Sequence, residues 1–259
     1  MFSGWSMPVD NPTDNPSAKP VDGIDNKAVY KRPDVVDRFD AERRIGEDDF
    51  VYRWELDYFL RQARCLLGTG ASGSVIDVGA GTGKLALAFA RQGWRVTAFD
   101  QSDAMLARLS AKAEAEGLAV VCRNGDVRDL DGERHDVAVS SRVLMHVPDP
   151  AVMIARMAAL ASCGIVLDAP RRFSPNSLLV AVRALTGGEV YRCVDDRFLV
   201  ETLAAQGLDT IDVTRMFVAP ISLHVKLRSL AVSRVAEAAL RPFAGVASTA
   251  FVTAARRKG

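Results

Sequence analysis

Val75-Ile76-Asp77-Val78-Gly79-Ala80-Gly81-Thr82-Gly83-Lys84 is the stretch that decides the fold. An apolar, β-branched run flows into glycines at alternate positions and then into a helical pattern, Leu85-Ala86-Leu87-Ala88-Phe89-Ala90. Glycine permits a tight turn and lets a ligand lie against bare backbone. The helix start beyond it offers amides that have no partner within the helix. Three nucleotide-binding loops compete for this spacing. A phosphate-binding Walker loop needs GxxxxGK followed by Ser or Thr. Val78 stands where its first glycine belongs, and Leu85 follows Lys84. The dinucleotide fingerprint needs GxGxxG, whereas the spacing here is GxGxG with Lys84 at the third glycine position. The pattern DxGxGxG fits, and Asp77 is the residue that neither competitor requires.

Outward from this loop, short β-branched runs alternate with helical stretches. Strands are predicted at 74–78, 95–99, 118–122, 136–140, 164–168, 209–218 and 247–256, and helices at 83–92, 102–116, 149–160 and 195–206. Alternation of this kind predicts an α/β fold, a doubly wound, seven-stranded and mostly parallel sheet covered on both faces. Right-handed crossovers then place ligand loops at the carboxyl ends of the strands. Residues 170–194 and 220–244 break the rhythm and are expected to act as lid or substrate-wall segments of a ligand-binding domain spanning 69–259. Residues 27–68 read as an N-terminal helical cap. Residues 1–26, rich in Pro, Asp, Asn, Ser and Gly, read as a disordered tail.

Two further acids extend the case. Val96-Thr97-Ala98-Phe99-Asp100 is a strand ending in a carboxylate, which can accept both hydroxyls of a ribose. Gly125-Asp126-Val127 closes the next strand. Glycine loop, ribose acid and a third acid on successive strands resemble the first three motifs of class I S-adenosylmethionine-dependent methyltransferases. Ser102-Asp103-Ala104-Met105-Leu106 resembles the family's SxxML segment, and His135-Asp136-Val137-Ala138-Val139-Ser140-Ser141 its fourth strand. The resemblance covers roughly residues 27–256. It runs to the small-molecule branch, the ubiquinone and menaquinone methyltransferase-like group, through His146-Val147-Pro148-Asp149-Pro150 and the Tyr30 to Arg43 segment. Magnesium-protoporphyrin methyltransferases share much of the same plan. The resemblance implies a Rossmann-like domain that binds S-adenosyl-L-methionine through Asp77, Gly79, Ala80, Gly81 and Gly83. It further implies contacts from Asp100, Gln101, Met105, Asp126, Val127, Ser140 and Ser141. From the cap, Tyr30 and Arg43 are expected to reach the cofactor, with a solvated charged helix as the alternative.

Methyl transfer is an in-line displacement on an activated cofactor, so the protein holds the nucleophile and manages one proton. His146, after the fourth strand, is the foremost candidate for that base, because its ordinary pKa suits proton transfer near neutrality. His224, in the late insertion, is the second. Each has a structural alternative, as a packing or capping histidine. His135, at the amino end of the fourth strand, is expected on the surface. Met145 stands where quinone-biosynthetic relatives commonly carry Glu, which puts an acid-and-metal pair in doubt; no metal site is expected. The Asn/Asp-Pro-Pro-Tyr/Phe motif after the fourth strand is absent, which argues against transfer to base amines or glutamine amides. The expected function is therefore methylation of a small-molecule metabolite, at oxygen. An RNA or protein methyltransferase, or a non-catalytic binding protein that keeps the cofactor pocket, are the alternatives.

Composition sets the outer bounds. Of 259 residues, 49% are apolar and 25% charged, enough to bury a core, and a net charge of +1 gives no bulk attraction to nucleic acid. No apolar run is long enough to span a bilayer, and the N-terminus does not read as a secretory signal. Cys65, Cys122, Cys163 and Cys193 form no CxxC pair and are expected to be reduced core residues of a cytoplasmic protein. Arg171 and Arg172 are read as surface charge or as a greeting for an acidic substrate. Lys226, Arg228, Arg234 and Arg241 lie among Leu and Ala in the insertion. That helix is expected to pack on its own domain, with weak surface contact at a membrane left open; a homodimer is compatible with the sequence.

Overall fold

In the computed structural model the described residues are 36, 50–68, 72–174, 192–219, 224, 227 and 229–257. The tail at 1–26, Tyr30 and Arg43 of the cap, most of the 170–194 segment, and Lys226 and Arg228 lie outside them.

The elements run α1 (Phe50–Leu67), β1 (Ser74–Val78), α2 (Lys84–Arg91), β2 (Arg95–Asp100), α3 (Asp103–Ala115), β3 (Val120–Asn124), β4 (His135–Ser140), α4 (Pro150–Leu160), β5 (Ala161–Pro170), α5 (Asp196–Ala205), β6 (Leu208–Met216), α6 (Leu230–Leu240) and β7 (Thr249–Arg256). The seven strands lie in the order β3-β2-β1-β4-β5-β7-β6. β7 runs antiparallel to β5 and β6, while the pairs from β3 across to β5 are parallel. This is the expected doubly wound sheet, with a helical insertion between its last two strands.

Helices cover both faces, so β1 is buried along its whole length, as a central parallel strand must be. Ile76, Val78, Ala138, Ile165 and Leu167 point into one core with α4 and α5, through Met153, Met157, Leu199 and Leu203. Val75, Val96, Val137, Val139 and Val166 point into the other, with Phe59, Leu85, Phe89 and Leu109. Alternate residues of one strand feed opposite cores because side chains alternate across a sheet.

Several boundaries differ from the sequence reading. β3 begins at Val120, two residues late, because the end of α3 claims the residues before it: Gly117 N donates to Glu114 O at 3.0 Å and Leu118 N to Ala113 O at 2.8 Å. β6 ends at Met216, where Phe217 takes a left-handed φ of 65° and its carbonyl accepts from Ser248 N at 3.0 Å. His135 is buried at the head of β4 rather than on the surface, and burial lowers its pKa.

α1 is fixed by an aromatic cluster. Trp54 meets Phe251 with ring centres 4.8 Å apart, and Tyr58 meets Phe251 at 5.2 Å. The buried Tyr58 hydroxyl donates to Asp212 Oδ2 at 2.7 Å on β6. With that face anchored over β6 and β7, Val51, Tyr52 and Glu55 are turned toward the carboxyl ends of the central strands.

Candidate active site

A cavity of about 660 Å³ opens at those carboxyl ends. Its lining brings together most of the residues predicted from sequence: Asp77, Gly79, Ala80, Gly81, Gly83, Asp100, Gln101, Met105, Asp126, Val127, Ser141 and His146.

The glycine loop is stitched to β2 by two bonds, Gly79 N and Ala80 N both donating to Phe99 O at 2.7 and 3.1 Å. Gly79 has φ 77°, and a Cβ there would sit 2.3 Å from the Val143 side chain. Gly81 has φ 54°, yet a Cβ there would meet nothing within 4 Å. The first glycine thus serves packing against the β4 loop; the second leaves open space above the backbone, on the cavity side. Asp77 reaches under the loop, its Oδ2 accepting from Ala86 N at 3.1 Å in α2. Burial pushes its pKa up to about 7, with Asp100 adding to the rise and the Ala86 amide opposing it.

Asp100 braces the same loop. Its Oδ2 accepts from Gly81 N at 2.8 Å and its Oδ1 from Ser102 N at 2.9 Å. Burial raises its pKa against those amide bonds. Ser102 caps α3 by accepting from Met105 N at 3.3 Å, which places Met105 at the cavity wall. Asp126 accepts from Arg128 N at 2.9 Å and pairs with the Arg128 guanidinium at 2.8 Å, setting the short 3-10 turn Val127–Asp129 at the cavity rim.

Two predicted residues lie elsewhere. Ser140 is buried, its hydroxyl donating to Val78 O at 2.7 Å, and is not among the lining residues; its neighbour Ser141 is. His224 is not in the cavity wall either. It is buried between the rings of Phe50 and Phe217, at 5.1 and 6.3 Å, with Nε2 2.9 Å from Glu237 Oε1. That corrects the expectation that His224 reaches the same pocket: its packing partners hold it in the insertion. Arg171 is likewise neither surface charge nor a substrate ligand. Buried, it donates to Asp196 Oδ1 and to Gly245 O, both at 2.8 Å, and ties β5 to the insertion.

The opposite wall holds a charge cluster that sequence reasoning missed. Glu55, 1% exposed in α1, pairs with both Lys84 and Arg142. Arg142 Nε donates to Glu55 Oε1 at 3.1 Å, and the residue holds a left-handed φ of 59°. Asp168, at the tip of β5, accepts from Arg142 N at 2.5 Å and from Ser141 Oγ at 3.2 Å. Burial alone would raise the Glu55 carboxyl, but Arg142 and Lys84 overrule it and hold it at about 2. Asp168 rises to about 6, through burial first and then the Glu55 charge. Lys84, Glu55 and Arg142 all line the cavity. Two signals mark the cluster in sequence: Lys84 follows the third loop glycine directly, and Asp168 ends a predicted strand. Nothing local marks Glu55.

Such an arrangement suits a nucleoside on one wall, with carboxylates and bare backbone, and a charged amino-acid-like group beside the other. Among the described residues no group of three or more His, Cys, Asp or Glu is placed to hold a metal ion.

Comparison with known proteins agrees with this geometry. A family described as "Methyltransferase domain" matches residues 75–164. A magnesium protoporphyrin IX methyltransferase of Arabidopsis thaliana is 33% identical over 152 residues, covering 57% of this chain and 47% of that protein. The alignment thus spans about half the length of the Arabidopsis enzyme. A ubiquinone biosynthesis O-methyltransferase of Hahella chejuensis is 32% identical over 168 residues, covering 63% of this chain and 68% of that one. In fold, the crystal structure of magnesium protoporphyrin IX methyltransferase from Synechocystis PCC 6803 with bound SAH superposes with a TM-score of 0.66 at 19% identity, over 89% of this chain and 98% of that one. Loop, acids and sheet order coincide with these relationships, and the chain belongs to the class I S-adenosylmethionine-dependent methyltransferases, related to their ubiquinone- and protoporphyrin-type small-molecule members.

Proposed function

We propose that this protein binds S-adenosyl-L-methionine in the cavity and methylates a small-molecule metabolite at oxygen. One observation carries the reading: the glycine loop, Asp100, Met105 and the Asp126-Val127 pair line a single cavity wall, with His146 on the same cavity. The cofactor fits the residues present. The open space above Gly81 is a cradle that a Cβ would fill. The Asp100 carboxylate, beside Gln101, would take the ribose hydroxyls, and Asp126 with the Val127 amide the adenine edge. Met105 would pack on the base. Asp77 holds the loop through α2. Ser141, Lys84 and Arg142 would receive the amino-acid end of the cofactor, with Glu55 balancing the two cations. In this reading Tyr30 and Arg43 keep their place as cap residues closing over the cofactor.

When bound, the cofactor supplies a methyl group on a positively charged sulfur, ready for in-line displacement. The protein's own work is to exclude water, hold the acceptor on line and take one proton. His146 is the group for that proton. It lines the cavity on the turn after β4, where His146 N donates to Val143 O at 2.8 Å. A positioned general base is worth about 10²–10⁴-fold in rate, so His146→Ala is expected to lower kcat by that range and leave cofactor affinity unchanged.

The test is titration calorimetry with S-adenosylmethionine and S-adenosylhomocysteine on folded protein. Binding by the wild type is expected, and absence of any heat would sink the proposal. Relatives are named for magnesium protoporphyrin IX and for O-methylation in ubiquinone biosynthesis, so phenolic and carboxylic acceptors are the first to screen by S-adenosylhomocysteine release.

A further inference from the structure

The insertion helix α6 leaves its valines on the outside. Its buried residues are Ser233 and Glu237, while Val232 is 50% and Val235 69% exposed. Ala231, Ala238 and Ala239 are exposed with them. The turn that follows, Arg241–Val246, adds Phe243 at 62% and Val246 at 50% exposure. Leu230 packs on the core, but a helix packing on its own domain also turns valine inward and carboxylates outward; here both valines face outward and the one carboxylate inward. The inner side explains itself. Glu237 accepts from Val218 N at 3.2 Å and Ala219 N at 3.1 Å just past β6, and meets His224 Nε2 at 2.9 Å. These bonds fix α6 at the carboxyl edge of the sheet, the edge on which the cavity opens. Among the described residues the outer side has no such account, and contiguous exposed apolar groups mark an interaction surface.

Charge identifies the occupant. Arg234 and Arg241 are exposed on this segment. Glu237 is the one acid between Pro220 and Val246, and it is buried. The outward face therefore offers cations and apolar side chains without a compensating carboxylate. A second copy docking through the same face would gather four exposed arginines with no exposed acid of this segment to meet them. A bilayer carrying anionic lipid accepts both features together: acyl boundary for Val232, Val235 and Phe243, headgroup charge for the arginines. We infer that the outer face of α6 and the turn after it form a docking surface for an anionic lipid bilayer, which holds the carboxyl edge of the sheet at the membrane. No helix among the described residues is long and apolar enough to cross a membrane, so the contact is interfacial.

The experiment is co-sedimentation of the full-length chain with vesicles. Binding is expected to phosphatidylcholine vesicles carrying phosphatidylglycerol as the minority lipid, weakening as salt rises, with little binding to phosphatidylcholine alone. The double variant Val235→Asp/Phe243→Ser is expected to abolish it. Arg234→Glu and Arg241→Glu are each expected to weaken it by about fivefold or more, the factor for losing one interfacial basic charge. Both sets alter exposed positions, and circular dichroism with thermal unfolding confirms that each variant remains folded. Absence of vesicle binding by the wild type overturns the inference. So does binding indifferent to both sets of variants. Sedimentation velocity on the same samples identifies the rival: a dimer split by Val235→Asp/Phe243→Ser, with no vesicle binding, assigns the face to a second copy instead.

Discussion

The two walls of the cavity are built on opposite principles. The nucleoside wall is local. Asp100 bonds to amides 19 and 2 residues away, and Asp77 to one 9 residues away. Its donors are main-chain amides fixed by the turn after one strand and the start of the next helix. The wall facing it is assembled from afar. Glu55 meets Lys84 across 29 residues and Arg142 across 87, while Asp168 meets Arg142 across 26. Its strength is charge, and that charge is correctly paired only when α1 is docked. The first wall should therefore fail in binding, and the second in stability.

Asp100→Ala should show the largest effect. Two hydrogen bonds to a carboxylate, each worth about 1.5–3 kcal/mol, would be lost to the ribose, so cofactor affinity is expected to fall at least about 100-fold in calorimetry. Glu55→Gln comes next. It leaves Lys84 and Arg142 facing each other without their shared anion, and breaking a buried pair from one side costs about 3–5 kcal/mol. The partners are 24% and 29% exposed, so water shares the load, and about 2–3 kcal/mol is expected in denaturant unfolding. Glu55→Gln combined with Lys84→Met should lose less than the single variants summed. Additive losses would dissolve the cluster into independent surface pairs and the comparison with it.

The same contrast explains what was legible in the sequence. Asp77, Asp100 and Asp126 announce themselves because each ends or follows a β-branched run, at a spacing the chain itself fixes. Glu55 does not. It stands between Arg53 and Asp57 in a helix whose pattern allows a solvated acid, and only the docking of Trp54 and Tyr58 on Phe251 turns it inward. His224 misled for the same reason: a histidine in an insertion looks available until Phe50 and Phe217 close around it. Strand positions and helix alternation were legible because hydrophobic period is local information; the order of strands in the sheet is not. Helix α6 shows the same limit: its mixture of valine, alanine and arginine fixes a helix but not which face turns inward.

Acid titration separates the walls again, with opposite sign. Glu55 is held at about 2 in the folded chain against an ordinary 4.5. Its contribution is present above about 4.5 and is lost as pH falls toward 2. Asp77 is the reverse. The folded chain keeps its proton up to about 7, while the unfolded chain releases it near 3.8. The folded state binds more protons across that window, so stability falls as pH rises through it. Asp168, raised to about 6, adds to that fall. Among these three groups the rise and the fall balance between about pH 3.5 and 4, so cofactor-free protein should lose stability above that window, by thermal unfolding across pH. Asp77→Asn should flatten the alkaline side by on the order of 4 kcal/mol, and Glu55→Gln the acid side. A pH profile unmoved by Asp77→Asn would mean that its carboxyl is ionised in the fold and that burial is relieved by water.

The smallest effect is the sharpest probe of the nucleoside wall itself. Gly81→Ala puts a methyl group into space that no protein atom occupies within 4 Å. Its cost to the fold is the left-handed φ alone, about 1–2 kcal/mol. Gly79→Ala carries the same backbone cost plus a Cβ 2.3 Å from Val143, so it should unfold more readily by a further 1–3 kcal/mol or so, as overpacking does. Cofactor affinity should rank the other way once corrected for folded fraction: Gly81→Ala crowds the ligand's side of the loop, Gly79→Ala the protein's. Equal affinity losses in the two variants would mean that the space above Gly81 is not where the cofactor lies, and the local wall would then owe its glycines to folding rather than to binding.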